Sequence, residues 1–261
     1  MKKAKIFGMV HLRALPGTPR HNLSIQEITD LALQEAQVLY DAGLNGIIIE
    51  NMHDIPYLKR TVGPEIVASC TVVAQTLRAA FPNWSLGLQI LAGANKQALA
   101  VAAASGLDFI RSEGFVFAHV GDEGILESDA GELLRYRKQI GAEQVQIICD
   151  IKKKHAAHSI TADINIEAYA HAAQFFLADG VLLTGQATGH AASMAELETL
   201  QNIRENLPVW IGSGITQENL KVYVYLADAL VVGSHFKADG YWENELSSER
   251  IADFMQVFKA L

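Results

Sequence analysis

The sequence predicts a single (β/α)8 barrel, a TIM barrel that occupies residues 1–261 as one α/β domain. The length of 261 residues is typical of this fold. Eight apolar segments of strand length alternate with eight longer segments of helical periodicity, which indicates parallel strands covered by helices. An open doubly wound sheet is the alternative, but no glycine-rich dinucleotide turn follows the first predicted strand.

The predicted strands are short runs rich in β-branched and other apolar residues. Each is bounded by Gly, Asn, Asp or Pro, the residues that favour turns. They cover residues 4–10, 45–49, 85–91, 107–111, 144–151, 179–184, 207–211 and 228–233.

The predicted helices follow from 3.6-residue periodicity and from residues typical of helix ends. Ser24 and Glu27 have the spacing of a capping box that begins a helix reaching Ala42, and Gly43 ends it. Pro64 suits the first turn of a second helix, which ends near Ala80. The remaining helices are predicted at about 95–105, 129–140, 165–177, 193–206, 216–226 and 247–260.

Composition excludes some classes of partner. The chain carries 21 Lys and Arg against 29 Asp and Glu, a formal net charge of −8, which argues against a nucleic-acid polymer as ligand because such binding needs a basic face. A local basic pocket for a small anion is still compatible with this charge. No apolar stretch approaches the roughly 20 residues that a membrane span requires. The two cysteines, Cys70 and Cys149, form no disulfide framework, so we expect a reducing, cytoplasmic location.

Candidate catalytic residues stand at the ends of the predicted strands, where barrels of this type place their chemistry. In the fifth strand, alternation turns Asp150 and Lys152 toward the barrel mouth and the intervening apolar residues toward the helices. We predict Asp150 as an acid or base, and Lys152 as a charge stabiliser or a Schiff-base nucleophile. An Asp–Lys ion pair that closes the barrel is the structural alternative.

The other strand ends supply three more candidates. Arg111 suits a bidentate contact with a carboxylate or phosphate, and pairing with Glu50 or Asp150 is its structural alternative. Glu50 is a candidate acid or base, and His11 is a candidate acid, base or metal ligand. The neighbouring Asn51 is expected to hydrogen-bond the substrate.

The loops after the seventh and eighth strands predict a phosphate site. Small residues there let backbone N–H groups approach an anion, and barrels commonly bind phosphate between these two loops. Tight turns alone are the alternative explanation for the glycines. The predicted ligand-binding residues are Gly212, Ser213 and Gly214 after the seventh strand, Gly233 and Ser234 after the eighth, Thr184 and Gly185 after the sixth, and His155 in the basic loop after the fifth.

The long loop after the fourth strand is apolar at residues 115–117, which suggests an exposed lid or a contact in a homo-oligomer. In the same loop, His119, Asp122 and Glu123 are candidate ligands of a divalent metal, although their spacing matches no strong template. No other cofactor is indicated.

Taken together, these segments resemble the BtpA/SgcQ family along the whole chain. The matching pieces are GMVHL (8–12), LPG (15–17), GIIIEN (46–51), VGPE (62–65), FIR (109–111), DEG (122–124), LRYR (134–137), DIK (150–152), TG (184–185 and 188–189), GSG (212–214) and VGS (232–234). The resemblance implies a TIM barrel of the ribulose-phosphate-binding type. The founding member is associated with photosystem I biogenesis, and the other branch accompanies genes of sugar transport and metabolism. Residues 87–95 and 112–114 depart from the family pattern at the predicted mouth, so the substrate is expected to differ between branches.

Three hypotheses for function follow. The first is an enzyme that acts on a phosphorylated sugar or a nucleotide-like small molecule, by aldol-type cleavage, isomerisation or hydrolysis. The second is a non-catalytic assembly or stability factor, as the resemblance to the founding member implies. The third is a metal-dependent nucleotide hydrolase, which requires a cluster of carboxylates and histidines.

Overall fold

A computed structural model of the chain describes residues 2–153, 155–185 and 192–261, and eight parallel strands in it close into a barrel. The predicted (β/α)8 fold is therefore confirmed. In chain order the strands are β1 (Lys5–His11), β2 (Gly46–Glu50), β3 (Ser85–Gln89), β4 (Phe109–Ser112), β5 (His119–Gly121), β6 (Gly124–Leu126), β7 (Gln146–Ile151), β8 (Ala156–Ala157), β9 (Gly180–Leu183), β10 (Val209–Gly212) and β11 (Ala229–Val232). The barrel runs in the order β1-β2-β3-β4-β7-β9-β10-β11 and closes where β11 pairs with β1. Strands β5, β6 and β8 form a separate antiparallel sheet that the sequence pattern does not predict.

The helices lie between the barrel strands as the sequence predicts, and Ser24 forms the predicted capping box with Glu27. They are α1 (Ile25–Asp41), α2 (Pro64–Ala80), α3 (Asn95–Ser105), α4 (Ala130–Gln139), α5 (Ile166–Phe175), α6 (Met194–Leu200), α7 (Leu220–Tyr223) and α8 (Ser248–Ala260). Helix α7 is shorter than predicted because Asn219 uses its side chain before the helix begins: Oδ1 accepts from the Thr216 amide (2.8 Å) and Nδ2 donates to the Gly214 carbonyl (2.7 Å). Among the helices of the described residues, none combines the length and the apolar character that a membrane span requires.

Large side chains fill the barrel interior. Phe7 stacks on Trp210 with ring centroids 4.6 Å apart, and Phe109 meets Phe7 edge to face at 5.6 Å. Ile48 and Ile148 belong to the same interior cluster. The apolar residues that alternate with Ile148 along β7 belong instead to the core between barrel and helices, as predicted. This alternation carries the next inward residues of each strand to the barrel mouth.

Gly87 leaves the space that the Phe109 ring occupies, because a Cβ at that position would collide with the ring. We therefore expect Gly87→Ala to lower the free energy of unfolding by about 1–3 kcal/mol, the usual penalty for overpacking a core. Urea denaturation monitored by circular dichroism measures the change. Gly131→Ala is the matched control, since its added Cβ would meet only the flexible end of Arg135 on α4. Equal stability of the Gly87→Ala variant and the unchanged protein would contradict the expectation.

The loop that begins after β4 folds inward. Phe115 is fully buried, Val116 is 8% exposed, and Phe117 packs against Tyr169 with ring centroids 4.6 Å apart. The Ala130 amide donates to the Phe115 carbonyl (3.1 Å), so the start of α4 holds these residues in the core. The expectation that residues 115–117 form an exposed lid or an oligomer contact is therefore wrong.

Candidate functional site

Two adjoining cavities open at the carboxyl ends of the barrel strands. The first lobe, about 190 Å³, lies beside the ends of β10 and β11 and is lined by Ser213, Gly214, Thr216, Gly233, Ser234, His235 and Arg250. The second lobe, about 300 Å³, lies beside the ends of β3, β4 and β7 and is lined by Tyr57, Gln89, Glu113, Asp122, Glu123, Lys153 and His155. Glu50, Met52, Arg111 and Trp242 line both lobes and form their shared wall.

A histidine and a carboxylate face each other next to this wall. His11 ends β1, Glu50 ends β2, and His11 Nε2 lies 3.5 Å from Glu50 Oε2. Both side chains are buried, and His11 Nδ1 lies 3.5 Å from the Trp242 carbonyl oxygen. Such a pair can give a proton to a bound molecule and take one from it. The structure thus brings together two of the predicted acid–base residues.

Arg111 and Asp150 form a buried bidentate ion pair. Arg111 Nε and Nη2 donate to Asp150 Oδ1 and Oδ2 at 2.8 and 2.9 Å, and the Asp150 side chain is entirely buried. Burial alone would lower the pKa of Arg111, but the negative charge of Asp150 raises it above its ordinary value. Both Asp150 oxygens accept from Arg111. Of the two ion pairs that the sequence left open for Arg111, with Glu50 or with Asp150, the structure therefore shows the pair with Asp150. The predicted acid–base role of Asp150 stays a prediction.

Lys152 does not take the inward position that strand alternation predicts. Its φ of 49° is left-handed, and its Nζ lies 3.9 Å from Glu196 Oε1 on α6. Lys153 turns into the second lobe instead, where its Nζ donates to Glu113 Oε2 at 3.2 Å. The sequence predicts Lys153 only as part of the basic loop after the fifth strand, because β7 ends at Ile151 and the period of two ends with it. The structure also places Lys152 outside the residues that line the two lobes.

The first lobe gathers four of the predicted phosphate residues: Ser213, Gly214, Gly233 and Ser234. Ser213 and Gly214 adopt left-handed φ angles of 66° and 69°, which form a sharp turn directly after β10. Arg250, which the sequence analysis did not single out, brings a positive charge to this lobe, and its Nε donates to the His235 carbonyl (2.7 Å).

His235, one of the two histidines that line the first lobe, is disfavoured as a cation. Burial is the main cause that lowers the pKa of His235, and the nearby charge of Arg250 lowers it further. Beside the loops after β10 and β11, the positive charge therefore comes from Arg250 rather than from His235.

Other predicted ligand residues lie elsewhere. Asn51 donates through Nδ2 to Asp54 Oδ2 (2.8 Å) and accepts through Oδ1 from the Leu91 amide (2.7 Å). Both ends of its side-chain amide are therefore used in hydrogen bonds within the protein. Gly212 faces Leu182 and Val231 inside the barrel. Thr184 donates to the Lys152 carbonyl at 3.5 Å, Gly185 is buried beside it, and His155 lines the second lobe. Thr188 and Gly189 of the family motif lie outside the described residues.

The second lobe contains a buried carboxylate with two partners. Glu113 Oε1 accepts from Gln89 Nε2 (3.0 Å), and Oε2 accepts from Lys153 Nζ (3.2 Å). Burial raises the pKa of Glu113, and the charge of Lys153 opposes that rise. Burial alone would lower the pKa of Lys153, but the charges of Glu113 and Glu123 raise it. Gln89 ends β3, but the predicted third strand continues to residue 91, so the strand-end rule that selects Glu50 and Arg111 does not select Gln89.

The proposed metal ligands do not form a cluster. Across residues 2–153, 155–185 and 192–261, no group of three or more His, Cys, Asp or Glu side chains is placed to hold a metal ion. His119 lies in the small antiparallel sheet beside His158, with ring centroids 5.7 Å apart, whereas Asp122 and Glu123 line the second lobe.

Comparison with known proteins bears on the family and the fold of this chain. The model of the BtpA family matches residues 1–260. An uncharacterized mitochondrial protein of Caenorhabditis elegans is 48% identical over 260 residues, covering 98% of this chain and 93% of the relative. The photosystem I biogenesis protein BtpA of Synechocystis sp. is 32% identical over 252 residues, covering 97% of this chain and 87% of the relative.

Solved structures of low sequence identity share the fold. Phosphoribosyl anthranilate isomerase from Thermus thermophilus superposes with a TM-score of 0.61 at 15% identity, covering 98% of each chain. Thiamine phosphate pyrophosphorylase from Pyrococcus furiosus superposes with a TM-score of 0.58 at 14% identity, covering 99% of this chain and 97% of the other. These likenesses establish the fold.

Proposed function

The chain belongs to the BtpA family, and we propose that it is an enzyme that acts on a small phosphorylated molecule, a sugar phosphate in the first instance. The observation that carries the proposal is the first lobe. Ser213 and Gly214 after β10, Gly233 and Ser234 after β11, and the charge of Arg250 surround one cavity. Backbone turns and an arginine at this place in the barrel are suited to a phosphate group.

The shared wall supplies the chemistry. A molecule anchored by its phosphate in the first lobe would extend along Glu50 and Arg111, which line both lobes. His11 and Glu50 would exchange protons with it as general acid and base. Arg111, held by Asp150, would stabilise negative charge that develops on an oxygen of the substrate. We assign Lys152 no covalent role in this scheme, because its Nζ lies near Glu196.

Names of the structural neighbours are consistent with this class of ligand. The Thermus thermophilus protein is a phosphoribosyl anthranilate isomerase, and the Pyrococcus furiosus protein is a thiamine phosphate pyrophosphorylase, so both names contain a phosphorylated compound. A nucleotide-like phosphate ester is the second ligand class of the proposal, because the phosphate anchor is common to both. A metal-dependent hydrolase is not favoured, since the described residues form no ligand cluster.

A thermal-shift screen tests the proposal. The panel consists of inorganic phosphate, sugar monophosphates, nucleoside monophosphates and the corresponding unphosphorylated sugars. We expect only phosphorylated compounds to raise the Tm, since a ligand at 100 times its Kd stabilises the folded state by about 2.7 kcal/mol. Incubation of each stabilising compound with the protein, followed by NMR, then shows whether it is converted. A flat response across the panel would overturn the proposal.

A non-catalytic assembly role is the second candidate, of the kind that the name of the Synechocystis relative gives for that protein. One observation favours it: Phe175, Phe176 and Leu177 at the end of α5 are 81, 44 and 67% exposed. Stabilisation by phosphate esters without any conversion, together with loss of a partner when these three residues become serine, would support this role over catalysis.

A cytoplasmic location and homo-oligomerisation are two further parts of the proposal. Cys70 and Cys149 are both free and buried, which suits a reducing cytoplasm. The Caenorhabditis elegans relative is named as mitochondrial, so cell fractionation is needed to decide the compartment. Homo-oligomerisation, first expected from residues 115–117, would have to use another surface, because those residues are largely buried.

A further inference from the structure

The second lobe contains hydrogen-bond acceptors that the described part of the protein leaves without donors. Gln89 is 1% exposed and gives its Nε2 to Glu113, while its Oε1 has no partner among those residues. Oε2 of Glu123, from another side of the lobe, is also buried without a partner there. A buried acceptor without a donor is unfavourable, so the lobe is matched to a molecule that brings donors.

The lobe is also negatively charged. Glu50, Glu113, Asp122 and Glu123 line it, and Lys153 and Arg111 are the cationic side chains among its lining residues. The charge of Arg111 is balanced by Asp150 beneath it, and Lys153 is bound to Glu113. A second phosphate in this lobe would therefore meet like charges in a partly buried site, where repulsion is stronger than in water.

Two of the neutral donors that line the lobe are used within the protein. The Tyr57 hydroxyl donates to the Met52 carbonyl at 2.7 Å, and the Gln89 amide donates to Glu113. The absence of a three-ligand cluster among the described residues argues against a metal ion as the missing partner. Organic hydroxyl groups are the donors that fit this set of carboxylate and amide oxygens.

We infer that the second lobe recognises the unphosphorylated, polyhydroxylated end of the ligand through Gln89, Glu113 and Glu123, and that it makes the site selective for monophosphates over bisphosphates. The inference rests on the proposed function, because it takes the first lobe as the phosphate anchor. The shared wall of Glu50, Met52, Arg111 and Trp242 makes the two lobes continuous, so one molecule can occupy both.

Isothermal titration with three probes tests the inference: inorganic phosphate, D-ribulose 5-phosphate and D-ribulose 1,5-bisphosphate. The two sugars share one carbon skeleton and differ only at the end that would enter the second lobe. We expect the monophosphate to bind about tenfold more tightly than inorganic phosphate, and the bisphosphate about tenfold more weakly than the monophosphate, where each factor of ten corresponds to about 1.4 kcal/mol.

Glu113→Gln sharpens the test, because it removes one negative charge and releases Lys153 toward the lobe. We expect the ratio of bisphosphate to monophosphate affinity to rise about tenfold. Glu132→Gln is the matched control, since Glu132 is an exposed carboxylate on α4 that also pairs with a lysine, Lys96. Its ratio should equal that of the unchanged protein. If Glu113→Gln does not fold by circular dichroism, the half-buried Glu123→Gln at the rim of the lobe replaces it.

The outcomes separate the inference from the proposed function. Binding of inorganic phosphate with equal affinities for all three probes would overturn the inference and leave the phosphate anchor standing. An unchanged ratio in both Glu113→Gln and Glu123→Gln would overturn the part assigned to the carboxylates. Absence of binding by every probe, including inorganic phosphate, would overturn the proposed function and the inference together.

Discussion

Replacing Arg111 with methionine is expected to lower the free energy of unfolding by about 3–5 kcal/mol, because it leaves the fully buried Asp150 carboxylate without its partner. Both carboxylate oxygens accept from the same guanidinium, at 2.8 and 2.9 Å. Methionine is similar in length to arginine and packs adaptably. The loss of stability would therefore arise mainly from the unpaired charge of Asp150 rather than from a cavity. Urea denaturation at pH 7 measures it.

The double variant Arg111→Met, Asp150→Leu is the control. It removes both charges and leaves apolar side chains of similar volume, so we expect it to recover most of the lost stability. A double-mutant cycle gives the coupling energy of the pair. Equal destabilisation in the single and double variants would show that the site depends on packing and not on charge compensation.

Ser234→Asp is expected to weaken the binding of phosphate esters by about 100-fold, which corresponds to about 2.7 kcal/mol. The new carboxylate would stand at the end of β11 in the first lobe, where a bound phosphate would meet a like charge. The loss should shrink as salt is added, because ions screen the repulsion where the lobe opens to solvent. Titration with the compound that raises the Tm most measures the change.

Ser159→Asp is the matched control for this variant. Ser159 is exposed in a short 3-10 helix and belongs to neither lobe, yet the substitution adds the same charge to the chain. Its affinity should equal that of the unchanged protein. A similar loss in both variants would mean that net charge, and not the first lobe, governs binding.

Much of the barrel follows from the sequence because its signals are local. The alternation of β7 selects Ile148 and Asp150 as inward residues, and the glycines after β10 and β11 indicate where the first lobe forms. The same rule fails at Lys152, since its left-handed backbone ends the alternation. The exposure predicted for Phe115 fails for another reason, because Phe115 packs into the core and its carbonyl accepts from the distant Ala130 amide, contacts that its neighbours in sequence do not indicate.

Some residues that line the site lie far along the chain from the ends of the barrel strands, and no local sequence pattern predicts their place in it. Trp242 lies ten positions after the end of β11, beyond two short 3-10 helices, and Arg250 lies on α8. Their place in the mouth depends on how the segment after β11 returns over the barrel. Gln89 is different, because it ends the observed strand β3, whereas the predicted strand continues to residue 91.

The shared wall has a consequence for how such a barrel can change its ligand. The first lobe is built by the loops after β10 and β11, and the second by residues at or after the ends of β3, β4 and β7, which lie across the barrel. Under the proposed function, the anchor and the selective end of the site are encoded by separate stretches of the gene. Substitutions in the stretches that build the second lobe could therefore change which substrates descendants accept, while the stretches that build the first lobe continue to bind phosphate. The architecture thus allows substrate specificity to change independently of phosphate binding.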